Sequence, residues 1–188
     1  LENIVQDKIT TKDTSPHKIV VFSQWSGALD LTTELVDTFF PGTFQILRID
    51  GSTAGKERAT QCESFNQDQQ SSHILLLNYK AAGEGINLQK GQHVLLLDPW
   101  FTPSVEDQAV ARVHRQGNTN KKVNVYRFIV NNSIERRVQA ISDKKGEESK
   151  RLLSMGLVNR AKMAKNTIDF SKDAILDLIS KDVTCDDP

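Results

Sequence analysis

The stretch HILLLNYKAAGEGINLQKGQHVLLLD, residues 73–98, contains two uninterrupted apolar runs separated by a polar loop with glycines. Apolar runs of this length are typical of strands that are covered on both faces, as in parallel sheets. Three comparable runs occur elsewhere: IVVF at 19–22, FQILRI at 44–49 and VNVYRFIV at 123–130. Together with HILLLN at 73–78 and HVLLLD at 93–98, they predict a sheet of five strands.

Segments with helical periodicity lie between most of these runs. Two of them carry apolar stripes: Leu31, Leu35 and Phe39 within 28–39, and Ala59, Cys62 and Phe65 within 54–66. Thr102 and Pro103 offer an N-cap and a first-turn proline to a helix over 103–115. Strands that alternate with helices in this way predict an α/β three-layer domain with a mainly parallel central sheet.

A further helix is predicted after the last strand. Asn132 and Glu135 resemble a capping arrangement, and the helix that follows would turn Ile134, Val138 and Ile141 inward. Residues 144–151 are too charged to belong to a core. The chain then divides into three parts: a linker at 1–17, a domain at 18–155, and a C-terminal extension at 156–188 whose residues 170–180 predict a short amphipathic helix.

The composition is that of an ordinary globular protein, with 38% hydrophobic and 26% charged residues among 188. No run of eighteen apolar residues predicts a membrane span, and the first residues do not resemble a signal peptide. Cys62 and Cys185 lie far apart, without the spacing of a disulfide framework or a zinc site. We therefore expect a protein of a reducing, intracellular compartment.

The charges are segregated although the formal net charge is zero. Residues 110–165 hold 14 of the 24 basic residues and 4 of the 24 acidic ones, so this segment carries +10 and the remainder −10. Such asymmetry favours a polyanion as the partner of one face. The alternative is a basic helix face that is simply solvated, and Lys144, Lys145, Lys150 and Arg151 fit that reading.

Polar loops follow the predicted strands, at the edge of a parallel sheet where ligands gather. They are Ser23-Gln24-Trp25, Asp50-Gly51-Ser52-Thr53, residues 78–88 and residues 98–103. Backbone N–H groups and hydroxyls in such loops can receive phosphates. However, GSTAGKE at 51–57 has one residue too few between its glycines for a phosphate cradle of the GxxxxGK[ST] form, and no nucleophile–base pair stands out.

Gln108, Arg112 and Arg115 fall at i, i+4 and i+7 of the helix predicted at 103–115. Their stripe borders an apolar one formed by Val105, Ala109 and Val113, so both arginines are expected to be half-buried. A guanidinium group forks onto phosphate oxygens and can be supplied to a nucleotide by another domain. Because the chain lacks a cradle, the sequence supports half of a split nucleotide site; ordinary surface ion pairs are the alternative.

Five motifs in this order resemble the second RecA-like lobe of the SWI/SNF-type ATPases, which are double-stranded-DNA translocases of helicase superfamily two. They are FSQW, RIDGSTAGKERATQCESFN, LLLNYKAAGEGINLQ, LLLDPWFTPSVEDQAVARVHRQGNTNKKVNVYRFIV and SIERRV. The resemblance covers residues 18 to about 155. The wording of the fourth motif favours the branch that contains the helicase-like transcription factor and the postreplication-repair translocases.

The resemblance implies a role for each matching residue. Arg112 and Arg115 would reach the ATP phosphates held by the first lobe. Residues expected to sense nucleotide or couple it to DNA are Gln108, Gly83, Gly85 and Asn87. Those expected to contact the phosphates of one DNA strand are Ser23, Gly51, Ser52, Asn78 and Lys80, with the aromatic Phe101 near the DNA groove. The alternative for Gly83 and Gly85 is a tight turn, and for Trp25 and Trp100 a core or interface position.

Several positions depart from the family pattern. Asn78 replaces the usual serine or threonine, and Glu84 places a negative charge in the loop expected to meet ATP and DNA. Phe101-Thr102 replace Trp-Asn, while Gln116 and Asn118 replace the Ile and Gln of the common HRIGQ wording. Neither arginine is lost.

The resemblance implies the C-terminal motor lobe of an ATP-dependent DNA translocase in chromatin remodelling or DNA repair, located in the nucleus. ATP and Mg²⁺ would be bound mainly by the first RecA-like lobe, so this chain alone should be inactive. The expected partners are that lobe and double-stranded DNA, with nucleosomes as a further candidate and no membrane. Two alternatives are the corresponding lobe of a strand-separating helicase or viral nucleoside triphosphatase, and a non-catalytic interaction lobe.

Overall fold

The computed structural model describes residues 16–83, 85–115, 117–118 and 122–154. Most of the linker at 1–17 and the extension at 156–188, including the helix predicted at 170–180, lie outside these residues. The described residues form two compact units, the first made of those within 1–97 and 108–127, and the second of those within 98–107 and 128–154. Among the described residues, no helix is both long enough and apolar enough to cross a bilayer.

The first unit is built on a five-stranded parallel sheet, which confirms the predicted fold class. The strands are β1 (Lys18–Ser23), β2 (Gln45–Ile49), β3 (His73–Asn78), β4 (His93–Leu96) and β5 (Asn124–Arg127). Their order is β2-β3-β1-β4-β5, and every pairing is parallel. Strands β4 and β5 are shorter than the apolar runs that predicted them.

The helices are α1 (Ser26–Phe39), α2 (Gly55–Gln67), α3 (Tyr79–Ala82), α4 (Pro103–Val113) and α5 (Ile134–Ser154). All but the single turn α3 were predicted. Helix α4 ends two residues earlier than expected, at Val113. Strands β1 and β3 are buried except for Asn78 at the end of β3, and both lie inside the sheet. Their residues Ile19, Val21, Ile74 and Leu76 belong to one core cluster with residues of α1.

Helix α1 buries a different face from the one that its apolar stripe indicates. Leu31, Leu35 and Phe39 are 60%, 54% and 67% exposed, whereas the buried residues are Leu29, Thr32 and Val36. A threonine can face the core because its hydroxyl donates to the carbonyl of Ala28 at 2.7 Å. The spacing correctly predicted a helix but not which stripe packs on the sheet.

Helix α5 of the second unit begins with a different cap from the predicted one. The hydroxyl of Ser133, not the side chain of Asn132, accepts the N–H of Glu135 at 3.2 Å. Asn132 instead adopts a left-handed conformation with φ 55°, and the Glu135 carboxylate accepts the N–H of Val130 at 2.7 Å. Val138 is buried as expected, but Ile134 is exposed.

A buried polar cluster lies where β1 and β3 begin. The Lys18 ammonium is 2.8 Å from His73 Nδ1, and Nε2 of the same ring is 3.5 Å from an Asp68 carboxylate oxygen. Nδ1 also lies 2.9 Å from the carbonyl of Ser71. Nδ1 can serve only one of these two neighbours at a time, as an acceptor from the Lys18 ammonium or as a donor to the Ser71 carbonyl. Burial, followed by the nearby Lys18 charge, lowers the pKa of His73, although the Ser71 carbonyl opposes this.

The lowered pKa of His73 predicts that the free energy of unfolding falls as the pH drops below the ordinary histidine value of 6.5. In that range the unfolded chain binds the proton more readily than the folded chain, so acid favours unfolding. Denaturant titrations of the wild type and of His73→Gln between pH 7 and 5 should show a shallower pH dependence for the variant. The exposed His114→Gln is the control, and equal slopes for wild type and His73→Gln would contradict the prediction.

The burial of α1 predicts a contrast between two leucines of one helix. Leu29→Ala should lower the free energy of unfolding by about 2–5 kcal/mol, because it leaves a cavity against β1 and β3. Leu35→Ala should change it by less than about 1 kcal/mol, because that side chain is already largely in water. Equal losses in chemical denaturation would show that the Leu31–Leu35–Phe39 stripe is packed.

Candidate functional site

The loops that follow β1 and β3 are joined by Asn78. Its side-chain N–H donates to the carbonyl of Gln24 at 3.0 Å, and its side-chain oxygen accepts the N–H of Lys80 at 3.0 Å. The second bond caps the short helix α3. Asn78 therefore holds the two loops together at the carboxyl edge of the sheet, while the Lys80 side chain is exposed beside it.

Ser23 is enclosed by its own loop. The side chain is 0% exposed, accepts the N–H of Trp25 at 3.0 Å and lies 3.3 Å from the carbonyl of the same residue. Trp25 itself is largely exposed. In this conformation a phosphate contact from this loop would have to come from groups other than the Ser23 hydroxyl.

The loop after β2 is organised by Asp50. One carboxylate oxygen accepts the hydroxyl of Ser52 at 2.6 Å and its backbone N–H at 2.9 Å, and the other accepts Arg48 Nε at 2.9 Å. These hydrogen bonds, those from Ser52 first, lower the pKa of Asp50 to about 2. Gly51 and Ser52 are exposed. The Ser52 hydroxyl already donates to a carboxylate, so towards an incoming phosphate this loop offers mainly backbone N–H groups.

The glycine-containing loop lies against the last turn of α4. Arg112 Nη2 donates to the carbonyl of Gly83 at 3.3 Å. Gly85 has φ +78°, which glycine adopts at little cost, whereas Gly83 has φ −62° and does not need to be glycine for its backbone. The carbonyl of Asn87 accepts the side-chain N–H of Asn66 at 2.9 Å. Thus α2 and α4 both anchor this loop.

The two arginines differ in their surroundings. Arg112 lies on α4 and is half-buried, as expected. Arg115 lies beyond the end of α4 and is exposed, so the expectation that both share one half-buried helical stripe is wrong for Arg115. Within the described part of the chain its guanidinium has no hydrogen-bond or ion-pair partner. Gln108 is exposed on α4, and His114 also faces solvent.

Gly91 and Asn118 hold the end of α4, and neither was predicted to do so. A Cβ atom at Gly91 would lie 2.5 Å from Val113 Cγ1, so the loop packs directly on the helix. Asn118 Nδ2 donates to the carbonyl of Val113 at 2.9 Å. The only sequence signal was that Asn118 departs from the family pattern.

Phe101 belongs to the second unit and is partly exposed. Its carbonyl accepts Lys145 Nζ at 3.2 Å. Nearby, the N–H of Trp100 donates to a carboxylate oxygen of the buried Glu106 at 3.0 Å. These bonds fix the backbone before α4 and leave the Phe101 ring accessible.

The first unit thus presents exposed cations and backbone N–H groups on several loops. The exposed Gly51-Ser52 and Lys80 positions lie on loops at the carboxyl edge of the sheet, and the exposed guanidinium of Arg115 follows the anchored end of α4. This chemistry suits phosphate oxygens. Among the described residues, no cluster of three or more His, Cys, Asp or Glu side chains could hold a metal ion.

Comparison with known proteins identifies the class. The helicase conserved C-terminal domain matches residues 2–117, and the chain therefore belongs to that family. Among solved structures, the C-terminal part of the Fun30 ATPase domain superposes with a TM-score of 0.65 at 29% identity, covering 75% of this chain and 43% of that one. This likeness confirms the predicted RecA-like, SWI/SNF-type C-terminal lobe.

The most similar relatives include three DNA repair proteins. RAD5 of Saccharomyces cerevisiae is 44% identical over 130 residues, which is 68% of this chain and 11% of the relative. RAD5B of Arabidopsis thaliana is 42% identical over 134 residues, or 71% and 10%. The protein rad8 of Schizosaccharomyces pombe is 36% identical over 135 residues, or 72% and 12%. The chain spans about a tenth of each relative's length, and the similarity confirms the predicted repair branch.

The close packing at Gly91 predicts that Gly91→Ala is destabilising. The added methyl group would meet Val113 Cγ1 and the Leu88 carbonyl, so the free energy of unfolding should fall by about 1–3 kcal/mol. Gly27→Ala is the matched control, since nothing lies within 4 Å of its Cβ position on α1. The control should be neutral or stabilising by up to about 1 kcal/mol in the same denaturation assay. Equal behaviour of the two variants would contradict the packing.

Proposed function

We propose that this chain is the C-terminal motor lobe of a DNA-dependent ATPase in which Arg115 is the arginine finger. The observation that carries the proposal is the contrast between the two arginines. Arg112 donates to the Gly83 carbonyl within its own lobe, whereas Arg115 is exposed just beyond an anchored helix end. A guanidinium in that position can reach phosphates bound to another domain, where it would stabilise the charge of phosphoryl transfer.

ATP would bind in the cleft between this lobe and a first RecA-like lobe that supplies the phosphate cradle and the carboxylates for Mg²⁺. The residues described here fit the phosphate side of that site. They offer cations and N–H groups, which bind anionic oxygens. The cations would repel a metal ion, and N–H groups have no lone pair with which to coordinate it. Arg112 would couple closure of the cleft to the glycine-containing loop through its hydrogen bond to the Gly83 carbonyl.

Double-stranded DNA is the proposed track. The exposed backbone at Gly51 and Ser52 and the exposed ammonium of Lys80 follow neighbouring strands of one sheet and can contact a phosphate backbone without reading its sequence. Asn78 would hold the loop that carries Lys80 against the loop after β1, because its side chain donates to the Gln24 carbonyl. Phe101 is a candidate groove contact of the second unit. The names of the relatives support a role in DNA repair, and hence a nuclear location; nucleosomes are a further candidate substrate.

Replacing Arg115 tests the proposal directly. In the protein that contains both lobes, Arg115→Ala should lower the kcat of DNA-stimulated ATP hydrolysis by about 10³- to 10⁵-fold, the range typical of arginine fingers. Steady-state ATPase assays at saturating DNA measure this change. Residues 1–188 alone should hydrolyse essentially no ATP, with or without DNA.

Arg136→Ala is the matched control, because that guanidinium contacts Asn131 on the surface of the second unit. It should leave kcat at saturating DNA within about twofold, because exposed polar contacts of this kind contribute little. Unchanged turnover in Arg115→Ala would refute the finger and favour a lobe used only for interaction. Robust DNA-stimulated hydrolysis by the isolated chain would refute the split site.

A further inference from the structure

The turn that carries Arg115 is closed by one side chain. Helix α4 makes its last regular bond from the N–H of His114 to the carbonyl of Val110 at 2.8 Å. The carbonyls of the final helical turn then have no partner within the helix. Asn118 supplies one, since its Nδ2 donates to the carbonyl of Val113 at 2.9 Å and lies 3.4 Å from the carbonyl of Gly91.

The backbone of Arg115 is enclosed by the same group of bonds. Its N–H donates to the carbonyl of Val113 at 3.1 Å, and its own carbonyl accepts the N–H of Asn118 at 3.0 Å. Gly117 allows the chain to close this turn with φ +93°. Asn118 thus binds the turn twice, through its backbone to Arg115 and through its side chain to the residue that ends α4.

A second segment of the chain limits movement of this turn. The N–H of Leu88 donates to the carbonyl of Arg112 at 3.0 Å, and Gly91 packs on the fully buried Val113. Because Asn118 Nδ2 faces the carbonyls of both Val113 and Gly91, it holds the helix end against the loop. The two hydrogens of a side-chain amide can serve both carbonyls, whereas a carboxylate has no hydrogen to donate.

We propose that Asn118 is a positioning residue, which fixes the turn after α4 and thereby aims the Arg115 guanidinium at the nucleotide phosphates. This inference rests on the proposed function of Arg115. Asn118 is only half-buried, and the bonds that it makes lie at the end of a helix whose core face, Ala109 and Val113, is secured independently. Its main effect should therefore be on catalysis, through the placement of Arg115.

The test uses the two-lobe ATPase with DNA at saturation. Asn118→Asp keeps the size and removes both donations, so kcat should fall about 10- to 100-fold, as expected when a catalytic group is misplaced by roughly 1 Å. The KM for ATP should stay within about twofold if the effect arises mainly in the transition state. Asn118→Gln, which keeps the amide, should recover most of the activity. Asn131→Asp, at an exposed asparagine that accepts from Arg136, should change neither constant.

A double variant separates positioning from general destabilisation. If Asn118 acts through Arg115, adding Asn118→Asp to Arg115→Ala should lower the residual kcat by less than about twofold, because residues that act as a unit are not additive. Radiolabelled ATP makes that residual rate measurable. Should Asn118→Asp fail to fold, Asn118→Ser, whose hydroxyl is too short to reach Val113, must show the same loss and the same non-additivity.

The outcomes distinguish the two proposals. If Arg115→Ala is fully active, the finger itself is refuted and the role of Asn118 with it. If Arg115→Ala is impaired but Asn118→Asp is fully active, only the positioning role is refuted. A loss in Asn118→Asp that multiplies the loss in Arg115→Ala also refutes it, since Asn118 would then act elsewhere.

Discussion

Parallel pairing of β1 with β3 on one side and β4 on the other is the constraint on which the site depends. Because all five strands of the first unit run in one direction, their carboxyl ends lie at one edge of the sheet. Loops that are distant in the chain therefore become neighbours, as the bond from Asn78 to the Gln24 carbonyl shows. The buried apolar surface of the central strands holds their ends in place, and with them the residues from which the polar loops start.

The sequence was informative wherever one physical requirement decides the pattern. A strand covered on both faces must be apolar along its whole length, and the mostly buried β1, β3 and β4 were accordingly found from their apolar runs. The apolar runs also located β2 and β5, although these two strands are only partly buried. Helix α1 shows where this kind of prediction fails. Two of its faces carry apolar residues, and the face that packs on the sheet is the one that contains Thr32. A prediction from periodicity considers only apolar side chains. It does not allow for a hydroxyl that can be buried because it donates a hydrogen bond to a carbonyl of the preceding helical turn.

Termini of helices were harder to predict for a related reason. The helical spacing of polar and apolar residues continues through Arg115, so periodicity predicted a helix to that residue. The backbone instead ends the helix at Val113 and forms the turn that Asn118 closes. The cap of α5 fell to Ser133 instead of Asn132 because both residue types can cap and the sequence does not choose between them. The arginines were identified as a pair from the sequence, but the difference between them required coordinates.

The packing of Gly91 on Val113 also has a consequence for how this lobe can diverge among its relatives. The two positions lie 22 residues apart in the chain, yet they share a single volume, since Cγ1 of the valine fills the space where a side chain at 91 would stand. A lineage can enlarge one only by shrinking the other, for instance alanine at 91 with alanine at 113. In an alignment of relatives, such paired exchanges would appear as covariation between positions 91 and 113, which reflects the contact between the loop and the helix.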